Sequence, residues 1–304
     1  MMIRFPLLLA LIAAPLLHAG PYPGPAGTAG TDAIAHTDSR FVNWASGHLD
    51  YDFGANVAAQ WRTPAKAYGP ATTDTLDIVC LGDNGRITLY FPHPIRDGDG
   101  ADFAVFENSF SDTFLELAFV EVSSDGVNFF RFPSASLTAS TVGGFGSVNA
   151  TNLSGLAGKY RVGFGTPFDI ASLPATPLLD PEHVCFVRLI DIVGDGSAKD
   201  SSNHTIYDPY PTTGTAGFDL EAVGVIHQNN GDFRMLRSVL AADTCELEWE
   251  SNPGRSYRIE TATKLDDWVT VQTLSARQDR GSSLFTAPRS GGLSQFWRVV
   301  RVGE

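Results

Sequence analysis

The chain has 304 residues, with 34 acidic against 21 basic side chains and a formal net charge of −13. Such a surface repels nucleic acid and anionic lipid and favours cations or neutral partners. With 43% hydrophobic and only 18% charged residues, the composition is that of a globular chain, sized for one large or two ordinary domains.

Residues 1–19, "MMIRFPLLLALIAAPLLHA", carry one positive charge at Arg4, an apolar run from Phe5 to Leu17, then Ala19 and Gly20. That layout predicts a secretory signal peptide cleaved after Ala19, because the apolar run is shorter than the ~20 residues of a bilayer span. The expected mature protein is secreted (extracellular, cell-surface or periplasmic), with no transmembrane segment and no nucleic-acid partner. In that setting calcium is available and disulfides can form. Cys80 ends the apolar run "LDIVC" and Cys185 lies inside "HVCFVRLIDI", so both are expected as small buried hydrophobes, with a Cys80–Cys185 bridge left open. No CxxC or Cys/His spacing for zinc occurs.

Residues 20–37 are rich in Gly, Pro and Ala and read as a loose leader. From 38 to 227 the chain reads as strands: "ITLYF" (87–91), "DFAVFEN" (102–108), "LELAFVEVS" (115–123), "NFFRF" (128–132), "YRVGF" (160–164), "VCFVRLIDIV" (184–193) and "FDLEAVGVI" (218–226). "SSDGV" supplies an Asp-Gly turn between two of them. Short strands between turn residues, without a capped helical period, predict an all-β, jelly-roll-like antiparallel sandwich. The stretch 133–182 is expected to be connecting loops, where binding sites tend to sit. A boundary falls at "QNNGD" (228–232). Six short strands within 232–304 predict a second, small fibronectin- or immunoglobulin-like sandwich with Trp249, Trp268 and Trp297 as core anchors.

The stretch "RDGDGADFAVFENSF" (96–110) sets Asp97, Asp99, Asp102 and Glu107 around Gly98 and Gly100. An EF-hand requires Gly at loop position 6 and Glu at position 12. Counted from Asp97 these are Asp102 and Asn108, so that motif is excluded. In a strand over 102–108, Glu107 shares a face with Phe103 and Val105; an ionised carboxylate there is costly unless paired or coordinated. In "GFDLEAVGVI", Asp219 and Glu221 likewise share a face with Val223 and Val225. Calcium takes six to eight hard oxygen ligands. The expectation is a structural calcium ion held by Asp102, Glu107, Asp219 and Glu221; the alternative is turn capping or pairing with Arg86, Arg96 or Arg188. A second acidic stretch, 191–212, with Asp191, Asp195, Asp200, Asn203 and Asp208, suits plain turns or a second cation loop.

Catalytic motifs are not found: no GxSxG, no HExxH and no phosphate loop. His204, beside Asp200 and Asp208, is the one histidine set among acids.

"LGDNGRITLYFPHPIRDGDGADFAVFENSF", "LAFVEVSSDGVNFFRFP", "LAGKYRVGFGTPFDI" and "GFDLEAVGVI" together resemble a largely uncharacterised family of secreted bacterial cell-surface proteins, over residues 38–227. The closing "GFDLEAVGVI" is also similar to the last strand of calcium-stabilised carbohydrate-binding jelly rolls, which implies Asp219 as a ligand of the ion. The C-terminal "WESNPGRSYRIETATKLDDWVTV…FWRVVRV" resembles a fibronectin-like module appended to exported bacterial proteins. The expected function is non-catalytic binding of an extracellular ligand, most plausibly a glycan, through loops around 133–182 and 196–215. A polysaccharide hydrolase with paired carboxylates and a purely structural surface or matrix component are the alternatives.

Overall fold

The computed structural model describes residues 20–231, 233–241, 243–288 and 295–302; the signal peptide expected over 1–19 lies outside them. The first unit contains β1 (Ile34–Ala35), β2 (Asn43–Trp44), β3 (Gly47–Asp52), β4 (Val79–Cys80), β5 (Arg86–Ile95), β6 (Phe103–Glu107), β7 (Ala118–Ser123) and β8 (Phe130–Arg131). It continues with β9 (Ala135–Ser136), β10 (Leu153–Ser154), β11 (Phe164–Phe168), β12 (Val184–Asp191) and β13 (Asp219–Val225). One sheet runs β1-β11-β6-β13-β2, with β4 also on β13; the other runs β3-β5-β12-β7-β8, and every pairing is antiparallel. The chain passes from one sheet to the other at β5→β6, β6→β7, β11→β12 and β12→β13, the back-and-forth winding of a jelly roll.

The two sheets close on Phe91, Phe103, Phe132, Phe168 and Phe218 with the Val and Leu residues of β5, β7 and β12. Phe103 stacks on Phe168 with centroids 5.4 Å apart. The strand β6 is buried at every position. Its other face, Ala104 and Phe106, is covered by Ile34, Phe41 and Trp44, and this second cover is why its sequence is a continuous apolar run rather than an alternating one. The cover corrects the reading of 20–37 as loose. Ile34 pairs with Gly165, and the Gly20 N–H donates to Thr151 Oγ1 at 2.7 Å. The stretch 133–182 is likewise more than loop, since it holds β9, β10 and β11.

Strict alternation along the last strand is also overturned. A bulge between Leu220 and Ala222 breaks the ladder with β6. It shifts the phase, so that Leu220, Val223 and Val225 all face the inter-sheet core. Asp219 and Glu221 are thereby released from the face that Val223 and Val225 occupy.

The second unit contains β14 (Met235–Leu240), β15 (Thr244–Glu250), β16 (Ser256–Ala262), β17 (Val269–Ser275), β18 (Ser282–Pro288) and β19 (Phe296–Arg301). These form two three-stranded sheets, β14-β15-β18 and β17-β16-β19. Trp249, Tyr257, Ile259 and Phe285 fill the space between them, with Trp297 packed at the margin. Trp268 sits nearer the surface, under the Arg298 guanidinium.

The second unit is docked on the first rather than strung from it. The buried Asn252 donates from Nδ2 to the Phe91 carbonyl at 3.3 Å, and Arg255 Nε donates to the Pro92 carbonyl at 2.8 Å. The Cys185 thiol lies 3.3 Å from Asn252 Oδ1. All three cysteines are buried, no disulfide joins Cys80 to Cys185, and burial pushes the thiols of these two well above the usual range. Among the described residues no helix is long and apolar enough to cross a membrane.

Candidate functional site

Asp102 and Glu107 stand at opposite ends of β6, five residue steps apart and therefore roughly 16 Å from one another at about 3.3 Å per residue. One ion cannot take both, so the four-carboxylate set expected from the sequence divides into two groups.

At the first end, Asp102 is fully buried. Its Oδ1 accepts from the Gly98 N–H at 2.8 Å and lies 2.8 Å from His227 Nδ1, while Oδ2 accepts from the Ile170 N–H at 2.7 Å. Asp102 thus ties the glycine turn, the end of the last strand's extension and the 3-10 turn at Ile170 to one point. Burial raises its pKa although these hydrogen bonds pull it down. Asp97, Asp102 and Asp169 each bring one oxygen to within 4.8 Å of the others. With three donors already on its two oxygens, Asp102 has little lone-pair capacity left for an ion, and the geometry is that of a brace.

At the other end the chain gathers Glu107, Glu116, Asp219 and Glu221, all buried. Leu220 stands opposite Glu107 in the ladder and Asp219 opposite Cys80. Glu107 Oε2 accepts from the Ser109 N–H at 2.8 Å. Asn108 Nδ2 reaches Asp219 Oδ2 at 3.3 Å and also donates to the Thr75 carbonyl at 2.9 Å. Glu221 Oε1 accepts from the Thr72 hydroxyl at 2.9 Å and from the Thr72 N–H. Among the described residues Asp219 Oδ1 and Glu221 Oε2 have no partner. Burial lifts Asp219 and Glu221 to about 7. Glu107 and Glu116 are pushed well above the usual carboxylate range, first by burial and then by the charge of Asp219. Asp219 Oδ1 and Glu221 Oε2 are thus hard oxygens without a donor, whereas the acids whose oxygens converge within 4.8 Å among the described residues are Asp97, Asp102 and Asp169.

Glu116 and Asp219 line a cavity of about 230 Å³ together with Asn108, Thr212 and Thr215. Its wall is a ledge of three rings: Phe110 stacks on Phe114 at 5.0 Å between centroids, and Phe114 on Phe145 at 6.0 Å. Phe110 is 68% exposed and Phe145 90% exposed. Thr212 Oγ1 donates to Glu116 Oε1 at 3.1 Å. An apolar ledge beside carboxylates and hydroxyls can bind a ring that has one hydrophobic face and a hydroxylated edge.

The loops 133–182 and 196–215 contribute Phe145, Pro211, Thr212, Thr213 and Thr215 to this cavity. Residues 108–116 were not among the expected binding segments, and Glu116 was not singled out. In "LELAFVEVS" it reads as an ordinary outward residue of an alternating strand. Its signal lay in the neighbouring "NSFSDTF", where two phenylalanines sit in a polar turn.

The second acidic stretch braces the same end. Asp191 accepts from the Phe218 N–H at 2.7 Å and the Asn84 N–H at 2.9 Å, and Asp208 accepts from the Leu117 N–H at 3.0 Å. Asp200 caps the turn that carries His204, whose Nδ1 lies 3.1 Å from it. Compared with known proteins, the chain matches no protein-family model and none of the curated proteins.

Proposed function

We propose that this chain is a secreted, non-catalytic binding protein whose ligand, a glycan, lodges on the ledge of Phe110, Phe114 and Phe145. The carrying observation is the combination of a strongly exposed stacked aromatic row with Glu116 and Asp219 beside it. Leaving such rings in water forgoes about 25 cal/mol for each Å² of apolar surface, and a sugar face recovers part of that. The carboxylates and Thr212 would then accept and donate to the sugar hydroxyls. A calcium ion behind the ledge, on the unpartnered oxygens of Asp219 and Glu221 with Glu107 nearby, would neutralise the buried charge and fix the floor. This reading keeps three of the four expected ligands and assigns Asp102 to the turn.

A glycan array probed with calcium-loaded protein and with chelated protein tests both parts. Binding to a defined set of sugars that weakens on chelation supports the reading; no binding to any sugar removes it. A hydrolase is the second reading, favoured because Glu116 and Asp219 both line one open cavity and both hold protons more tightly than usual. Release of reducing sugar that disappears in Glu116→Gln would establish it in place of the binding module.

A further inference from the structure

We infer, resting on the glycan reading above, that the sugar held at the aromatic ledge is a basic one: an oligomer of glucosamine-type units whose amines are free and protonated. The cavity beside the ledge carries two carboxylates, Glu116 and Asp219, and among the described residues no lysine, arginine or histidine lines it. Both acids are withdrawn from solvent, at 4% and 2% exposure. The charges that act on Glu116 are those of Asp219, Glu107 and Asp208, all of its own sign. A buried carboxylate among like charges is costly until a positive group compensates it.

Hydrogen bonding points the same way. Among the described residues the Glu116 carboxyl accepts one hydrogen bond, from Thr212 Oγ1 to Oε1 at 3.1 Å, and its Oε2 is left for a ligand. Asp219 keeps Oδ1 without a donor. Asn108 spends Nδ2 on the Thr75 carbonyl and on Asp219 Oδ2, so its amide offers only the acceptor Oδ1. The polar side of the cavity is therefore rich in acceptors. An ammonium group brings three donors, no acceptor and one positive charge, and the neighbouring phenyl rings attract a cation as well. A sugar hydroxyl brings one donor with its own lone pairs, an N-acetyl group has no charge and adds a carbonyl, and a uronic acid has the wrong sign.

A calcium ion on Asp219 and Glu221 does not remove this demand. It carries two positive charges against the four carboxylates of Glu107, Glu116, Asp219 and Glu221, and Glu116 is not among its ligands. The net charge of −13 on the whole chain also draws a polycationic glycan toward the surface and repels an acidic one.

The test is calorimetric titration of the whole chain at neutral pH in calcium, with three hexasaccharides: glucosamine, its fully N-acetylated counterpart and galacturonic acid. The amino form is expected to bind roughly tenfold or more tightly than the acetylated form and to weaken with added salt, as a contact between charges does. The acidic form is expected not to bind. Glu116→Gln keeps the length of the side chain and an acceptor for Thr212, and should bring the amino and acetylated affinities together. Thr213→Lys, at an exposed position on the rim, is the second variant should the first disturb folding, which the melting temperature reports. Acetylated sugar bound as tightly as the amino form, with loss of binding in Phe145→Ala, would overturn the free amine and leave the glycan reading standing. Binding of none of the three overturns it too, and an array without hits then removes the glycan reading separately. A preference unchanged in either folded variant, or hexalysine bound as tightly as the amino sugar, would also overturn it; the latter result would assign the cavity to basic peptides.

Discussion

At the scale of single residues, the carboxylates of this chain divide by what completes their hydrogen bonding. Asp102, Asp191 and Asp208 are buried on backbone N–H groups and fasten loops to strands. Asp219 and Glu221 are buried with an oxygen each left over, and it is on those oxygens that the proposed calcium ion would sit. Asp102→Ala strands the Ile170 and Gly98 N–H groups and frees His227, at about 1–3 kcal/mol for each orphaned buried donor. The expected loss is about 3 kcal/mol, roughly 10 °C in melting temperature for a unit of this size. Thermal unfolding followed by circular dichroism checks it, and a shift below a degree would show that Asp102 braces nothing. The sequence alone sets Glu107 on an apolar face and offers Asp102 as a calcium ligand. It did not show that β6 holds them at opposite ends, because a pattern that alternates every two residues says which face a residue takes and nothing about what meets it there.

Among the elements, the strands were the legible part. Runs such as "CELEWE" and "VCFVRLIDI" have the β-branched and aromatic content that fits a pleated surface, and β15 and β12 fall on them. The strand read at 160–164 instead begins at Phe164, because Gly163 has φ of +81° and makes a turn at the end of "YRVG". The bulge at Glu221 left no mark in the sequence either; a bulge is set by how two strands meet, and one strand cannot report it. The docking of the second unit was equally hidden, since Asn252 and Arg255 look like ordinary turn residues in "SNPGR". Because Asn252 donates across the junction and receives the Cys185 thiol, Asn252→Ala is expected to uncouple the units. Scanning calorimetry should show one transition for the natural chain and two for the variant; a single unchanged transition in the variant would show that the junction is held elsewhere.

Over the whole molecule, Glu107, Glu116, Asp191, Asp208, Asp219 and Glu221 collect at one end of the first sandwich, and the titration of such buried acids sets how stability follows pH. Burial holds Asp191, Asp219 and Glu221 at about 7, whereas in the unfolded chain such groups titrate near 4. Between those values the folded state binds more protons than the unfolded one, so these groups make stability fall as pH rises from about 4 to 7. Asp125 and Asp200 are lowered by their hydrogen bonds and act oppositely, losing their contribution only below about pH 4. In chelator the melting temperature is therefore expected to be higher at pH 5 than at pH 8. Calcium should raise it at pH 8 more than at pH 5, because the ion takes the place of the protons. Equal effects of calcium at the two values would contradict a site built on these oxygens.

The functional reading rests finally on the aromatic ledge at that same end. Phe145 is almost wholly in solvent, so its removal should change stability by no more than about 0.5 kcal/mol, and a change in binding is then attributable to the ledge. The decisive measurement is calorimetric titration of the best oligosaccharide from the array into the natural chain and into Phe145→Ala. An affinity roughly tenfold lower in the variant, about 1.4 kcal/mol, with the same melting temperature is the expected result; equal affinities would place the ligand elsewhere.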